Sequence, residues 1–372
     1  IRVFVELTSQ INGSDVPQLI EDNLSFRLQS GVEQKVNLRA WSWDAVLYDS
    51  LRVSKNTTIA SSKPVVVRGR IRVDSASTLS ILSPTVLYFG STAGIDVYGT
   101  LEISGQPGQD VVLRGDRLDN MFDYLPYDRV SGQWRGIHFF GSSSGNSLRY
   151  LDLHSAMDAI LCDSVDICDT PNLSLANVTI HNCKGYGFAA FHSNISMANT
   201  LISNTLADCL YLYRSQANVT FSTFAQFYPF DANRGDALTF ADTIDTAKRT
   251  IRRLDVANSI ITGYADDVIM AYLADTVAKP YCFSHCMLRT PIPSDTTCFK
   301  RIIWEDVEDT VIAGWKNFMK VDTDLLQYDF SLSMSSLAID AADPSTSPSD
   351  DRNGTQRDSK PDMGCYEAIR EE

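Results

Sequence analysis

The chain has 372 residues and a mass of 41.3 kDa, and 46 Asp and Glu against 32 Lys and Arg leave it a net charge of −14. That balance lacks the basic footprint that phosphate backbones attract, which speaks against nucleic acid as the main partner. With 44% hydrophobic and 21% charged residues the chain can bury a core, and no apolar run reaches the roughly 18 residues of a membrane span.

At roughly 100–200 residues per domain the length fits two or three compact units, or one elongated repeat domain. The chain opens on a strand pattern, Ile1 to Leu7, with no basic stretch, apolar stretch or cleavage site before it. Any export signal or lipid anchor is therefore expected upstream. Val3/Val5/Leu7, Leu24/Phe26/Leu28 and Val36/Leu38/Ala40 alternate over three longer strands. Residues 1–46 thus read as part of an antiparallel, immunoglobulin-like sandwich, or as an N-terminal cap on the remainder of the chain.

From residue 47 the strands shorten. Ile71–Val73, Thr78–Ile81, Val86–Phe89, Ile95–Ile103 and Val111–Leu113 are separated by turn residues. The segment 114–135 then interrupts the pattern. It carries Arg114, Asp116, Arg117, Asp119, Tyr124, Tyr127, Asp128, Arg129 and Trp134. Aromatic faces flanked by both charge signs suit sugar-ring stacking and hydroxyl hydrogen bonds, so these nine are the candidate glycan-binding residues. The simpler reading is a loop folded on itself, with Arg–Asp pairs and aromatics packed on a wall.

Internal repetition is the most informative feature. L-S-L-A-N-V-T-I-H-N at 173–182 recurs as I-S-M-A-N-T-L-I-S-N at 195–204, an offset of 22 residues, and L-D-V-A-N-S-I-I-T-G appears again at 254–263. The period within each copy is 2 and changes phase at Ala-Asn, which reads as strand, tight corner, strand. Such a unit stacked on its own copies predicts an all-β fold, a right-handed parallel β-helix, over residues 47–336. Roughly eight to ten coils are expected, with corner Asn amides bonding along the axis as a ladder.

Chemistry-bearing groups are sparse. Asp158, Asp163, Asp166 and Asp169 surround Cys162 and Cys168, a loop that a disulfide could close in an oxidising compartment, and they are the candidates for a calcium ion. Their spacing does not match the D-x-[DN]-x-[DN]-G loop, and no resident cofactor or metal ligand set is assigned. Cys282 and Cys286 with His285 between them match a zinc pattern poorly and read as small hydrophobes. The five histidines form no H-x-x-x-H pair, and His181 and His192 read as wall residues. A second extruded loop is expected at 228–253, ending in Lys248, Arg249, Arg252 and Arg253, a cationic patch or a solvated face. Asp266 and Asp267 are adjacent, so on a strand they point to opposite faces and make a poor acid–base pair.

The C-terminus runs Leu337-Ala-Ile-Asp-Ala-Ala-Asp343, then Asp351-Arg-Asn-Gly-Thr-Gln-Arg357, then Pro361-Asp-Met-Gly-Cys-Tyr-Glu367. This resembles the S-P-A-I-D-A-G … D-x-x-G-x-x-R … D-x-G-A-Y-E ending of bacterial β-helix proteins of the pectin-lyase-like superfamily, the choice-of-anchor Q type. Leu337, Ala342 and Cys365 stand where Pro, Gly and Ala are usual. Residues 93–101 with the 114–135 loop are similar to uncharacterised envelope lipoproteins of Gram-negative gut bacteria. The resemblance implies the fold and an exported, lipid-anchored location, but no activity. Asp351, Arg357, Asp362 and Glu367 read as the charges of a compact cap, residues 337–372, that closes the last coil. The expected function is polysaccharide binding at the cell envelope. A polysaccharide lyase or glycoside hydrolase and a structural or adhesive module are the alternatives.

Overall fold

A computed structural model describes residues 4–6, 11–165, 169–242, 253–273, 279–308 and 313–369. The body is a right-handed parallel β-helix. Each coil turns through three short strands, as in Gly94–Val97, Thr100–Ser104 and Val111–Gly115. The first strand of each coil stacks into a nine-stranded parallel sheet running from Leu51–Val53 to Ile269–Leu273. The other two join around a corner into a 19-stranded sheet. Parallel strands joined by a crossover connect right-handedly, because right-twisted strands return to the sheet only that way.

The registers show why this sequence coils. Ile71, Ile95, Ile137, Ile160, Phe188, Leu210 and Leu238 are successive partners in one inward file. None is more than 1% exposed. Each such side chain taken from water contributes about 1.5–3 kcal/mol, and the pleat sends its neighbours outward. The repeats pair as their offset requires: Leu173 with Ile195, Leu175 with Met197, Ala176 with Ala198, and Ile180 with Ile202.

The corner after Ala176 needs a left-handed residue. Asn177, Asn199 and Asn258 supply it with φ of 59, 48 and 52°, a region Asn tolerates. Tyr150, Phe221 and His285 also take positive φ, and Phe221 stands in register between Asn199 and Asn258. The expected amide ladder is therefore replaced by another use. Asn177 Nδ2 donates to Asp351 O at 2.6 Å, Asn199 Nδ2 to Asp350 O at 2.7 Å, and Asn258 Nδ2 to Thr346 Oγ1 at 2.9 Å.

Those acceptors belong to the C-terminal segment, which lies lengthwise along the coils rather than closing the last one. It forms a strap. Arg357 donates to Glu367 Oε2 at 3.0 Å, to the Asp362 and Gly364 carbonyls, and to Asn199 Oδ1. Arg352 reaches Asp110, Thr179 Oγ1 and the Leu151 carbonyl. Between strap and wall lies a second core that includes Leu201, Phe221, Phe227, Ala338, Met363 and Cys365, with Phe318, Phe330 and Leu332 from the antiparallel pair Phe318–Asp322 and Gln327–Leu332.

At the other end, Gln18–Arg27 and Glu33–Ser42 form an antiparallel hairpin, compatible with part of a sandwich. Residues 4–6 carry no strand. The rest of the expected third strand falls outside the described residues. The 114–135 loop is extruded and carries a short hairpin, Asn120–Phe122 with Leu125–Pro126, and a 3-10 turn, Tyr127–Arg129. The second expected loop is shorter than 228–253, because Leu238–Asp242 is a wall strand. Lys248, Arg249 and Arg252 lie outside the described residues, and Arg253 pairs with Asp255. Among the described residues, no helix is long and apolar enough to cross a membrane.

Candidate functional site

The 114–135 loop does not act as one ledge. Trp134, expected on its surface, is fully buried; it stacks on Phe89 at 4.3 Å and donates from Nε1 to the His154 carbonyl at 2.8 Å. This corrects its assignment to glycan binding: the indole is large and apolar enough to be drawn into the coil, and its one polar atom is satisfied there. Arg117 pairs with Asp119 and lies over the Tyr127 ring at 3.7 Å. Asp116 is exposed at the loop's start, and partial desolvation of its carboxyl raises its pKa. Tyr124 is exposed and stacks on Phe122 at 5.9 Å.

Arg114, Asp128 and Arg129 turn the other way, towards the wall. Asp128 Oδ1 meets Arg114 Nη1 at 2.7 Å and His154 Nε2 at 2.9 Å. Arg129 donates to the Leu325 carbonyl at 3.1 Å, which ties the loop to the 318–332 hairpin. Between loop, wall, hairpin and strap lies a cleft of about 500 Å³. Its lining includes Asp128, Arg129, His181, Asn204, Tyr328 and Tyr366.

The wall places a chemically dense cluster beside this cleft. Asp152 and His154 are two apart on the strand Asn146–His154, so both leave the same outward face. His181 on Leu173–Cys183 is the register partner of His154, and the two rings stack at 4.7 Å. Asp152 Oδ1 is 2.7 Å from His154 Nδ1 and 3.3 Å from His181 Nε2. Burial pushes the Asp152 carboxyl up, but the His154 and His181 charges and hydrogen bonds outweigh it and hold it well below the ordinary range. Burial lowers the His154 pKa, yet Asp152 and Asp128 raise it to about 9. Asp128 is lowered in turn, chiefly because the His154 contact outweighs its own burial. A buried imidazole held between two carboxylates locks the loop to the wall.

Sequence reading missed this cluster. His154 and His181 are 27 residues apart, one coil, so no short motif joins them. The signal was available in the alignment of L-D-L-H at 151–154 with V-T-I-H at 178–181.

The calcium candidates do not assemble among the described residues. Asp158 accepts from the Tyr186 N–H, Asp163 pairs with His138 at 2.8 Å, and Asp169 is exposed; Asp166 lies outside them. Cys162 is a buried free thiol, and Cys168, its expected partner, also lies outside them. Cys286 sits in the core while Cys282 is partly exposed, so the pair does not converge on an ion. Asp267 accepts from the Ile269 N–H, and Asp266 faces Arg289 at 3.4 Å.

No protein-family model matches the chain, and no curated protein does. A solved structure, described as the crystal structure of pectate lyase Pel9A, is similar over 88% of this chain and 86% of that chain, at 13% identity and a TM-score of 0.34. The parallel registers themselves, rather than this distant similarity, establish that the chain has the parallel β-helix fold.

Proposed function

We propose that this chain is an exported, lipid-anchored cell-envelope β-helix of the choice-of-anchor Q type that binds a polysaccharide in its lateral cleft. One observation carries the binding reading: Asn204, 1% exposed, lines the cleft, and its Oδ1 has no hydrogen-bond partner among the described residues. A buried acceptor without a donor is costly, and a sugar hydroxyl is a donor of the right kind. Tyr328, Phe330 and Tyr366 offer ring surface beside it, and Asn182, Gln327 and Asp329 offer further polar atoms. The site thus moves from the outer face of the 114–135 loop to its inner edge, at Asp128 and Arg129.

The test is calorimetric titration of the full chain with neutral and uronic-acid oligosaccharides, while product formation is monitored on the same samples. Asn204→Gly keeps the left-handed backbone at φ 54° and removes the acceptor. It should weaken binding by about 5- to 20-fold, the equivalent of about 1–2 kcal/mol. Product release would favour a lyase or hydrolase. No binding in either series would leave a structural or adhesive module.

A further inference from the structure

Three ligand-type atoms converge on the wall beside the cleft. Among the described residues, Asp152, His154 and His181 are the one group of three His, Cys, Asp or Glu side chains whose ligand atoms lie within 4.8 Å of one another. Tetrahedral zinc, with bonds of about 2.0–2.1 Å, sets neighbouring ligand atoms about 3.3 Å apart. Around Asp152 Oδ1, the 3.3 Å to His181 Nε2 matches that separation, and the 2.7 Å to His154 Nδ1 is shorter by about 0.6 Å. An ion can take the shared position with small side-chain shifts.

The surroundings fit as well as the three atoms do. A metal-bound imidazole characteristically gives its other N–H to a carboxylate, which fixes the ring and its tautomer. His154 turns Nδ1 to the convergence point and Nε2 to Asp128 at 2.9 Å, and Asp128 is itself held by Arg114. Register pins His181 over His154, so the two imidazoles are preorganised by the coil rather than by a loop. Two nitrogens and one oxygen suit zinc-class first-row dications; calcium and magnesium prefer oxygen alone.

We propose that Asp152, His154 and His181 form a mononuclear site for a zinc-class divalent cation, with Asp128 orienting His154. Three protein ligands leave a fourth position, and because His181 lines the cleft, water or a ligand in the cleft can fill it. The proposal does not depend on what the cleft binds, since metal uptake alone decides it.

The experiment uses the untagged full chain, stripped with a chelator and titrated with Zn2+ by calorimetry, with bound metal counted by elemental analysis. One equivalent of zinc per chain is expected. His181→Ala should weaken uptake at least 100-fold, and Asp128→Asn by about 10- to 100-fold. Cys282→Ala and His138→Ala, remote from the cluster, should leave it unchanged. Co2+ gives a second readout: tetrahedral visible bands present in the wild type and absent in His181→Ala. Thermal unfolding checks that each variant is folded. If His181→Ala does not fold, His181→Gln replaces it, with the same expectation. Failure of the stripped wild type to take up stoichiometric zinc overturns the proposal, as does a folded His181 variant that binds as tightly. In either case the cluster is an ion-pair tie alone.

Discussion

At the scale of one residue, Asp236 shows how a carboxylate on the wall sets the response to pH. Burial, then the charges of Asp208 and Asp267, raise its pKa from 3.8 to about 6. Its backbone N–H donates to Asp208 Oδ1 at 2.7 Å, so the two carboxyls cannot easily separate. In the unfolded chain the group titrates near its ordinary value of about 3.9. Between these values the folded protein keeps a proton that the unfolded chain releases. The contribution to stability is therefore full below about pH 4, is lost as the pH rises to about 6, and stays lost above. The two-unit shift bounds the effect at about 3 kcal/mol. Asp236→Asn should accordingly raise stability at pH 7 by up to about 3 kcal/mol and change it little at pH 4. Urea unfolding at both pH values checks this. An equal gain at both would mean that the carboxylate charge is not the cause.

At the scale of the element, the corner file explains what the sequence showed and what it hid. The Ala-Asn step was legible because the 22-residue offset repeats it, and Asn177, Asn199 and Asn258 do take left-handed φ. The destination of the amides was not legible. Their acceptors, Asp350, Asp351 and Thr346, lie 88 or more residues away in sequence. The Asp152–His154–His181 cluster was hidden in the same way, because its coil is 27 residues long and breaks the 22-residue period, and because Asp128 arrives from an extruded loop. Trp134 was misplaced because an aromatic between Gln133 and Arg135 reads as surface until the wall behind it is known.

The two duties of Asn199 can be separated. Asn199→Gly keeps the φ of 48° but loses the contacts to Asp350 O and Arg357, a cost of about 1–3 kcal/mol. Asn199→Ala loses the contacts and also strains the corner, adding about 1–2 kcal/mol. Denaturant midpoints should therefore rank wild type above Gly above Ala. An Ala variant as stable as the Gly variant would show that the corner does not require the left-handed residue.

At the scale of the whole molecule, the strap changes what kind of solenoid this is. In a bare stack each coil meets only its neighbours, so stability sums over adjacent interfaces and the array can open piecemeal. Here one segment touches Asn258, Asn199, Asn177, Leu151 and Asp110 in turn, and so binds distant coils into one unit. Arg357 is its anchor. Its side chain is 1% exposed, pairs with the 8% exposed Glu367, and lies over the Phe221 ring at 4.4 Å. Removing it leaves Glu367 buried without its counter-charge, which costs about 3–5 kcal/mol. Arg253, 55% exposed and paired with Asp255 on the open wall, sets the contrast, since such a surface pair contributes about 1 kcal/mol or less. Arg357→Ala should therefore lower the urea midpoint far more than Arg253→Ala. It should also flatten the transition, because coils released from the strap unfold in separate steps. If the two variants cost the same and both unfold as sharply as the wild type, the strap does not couple the coils.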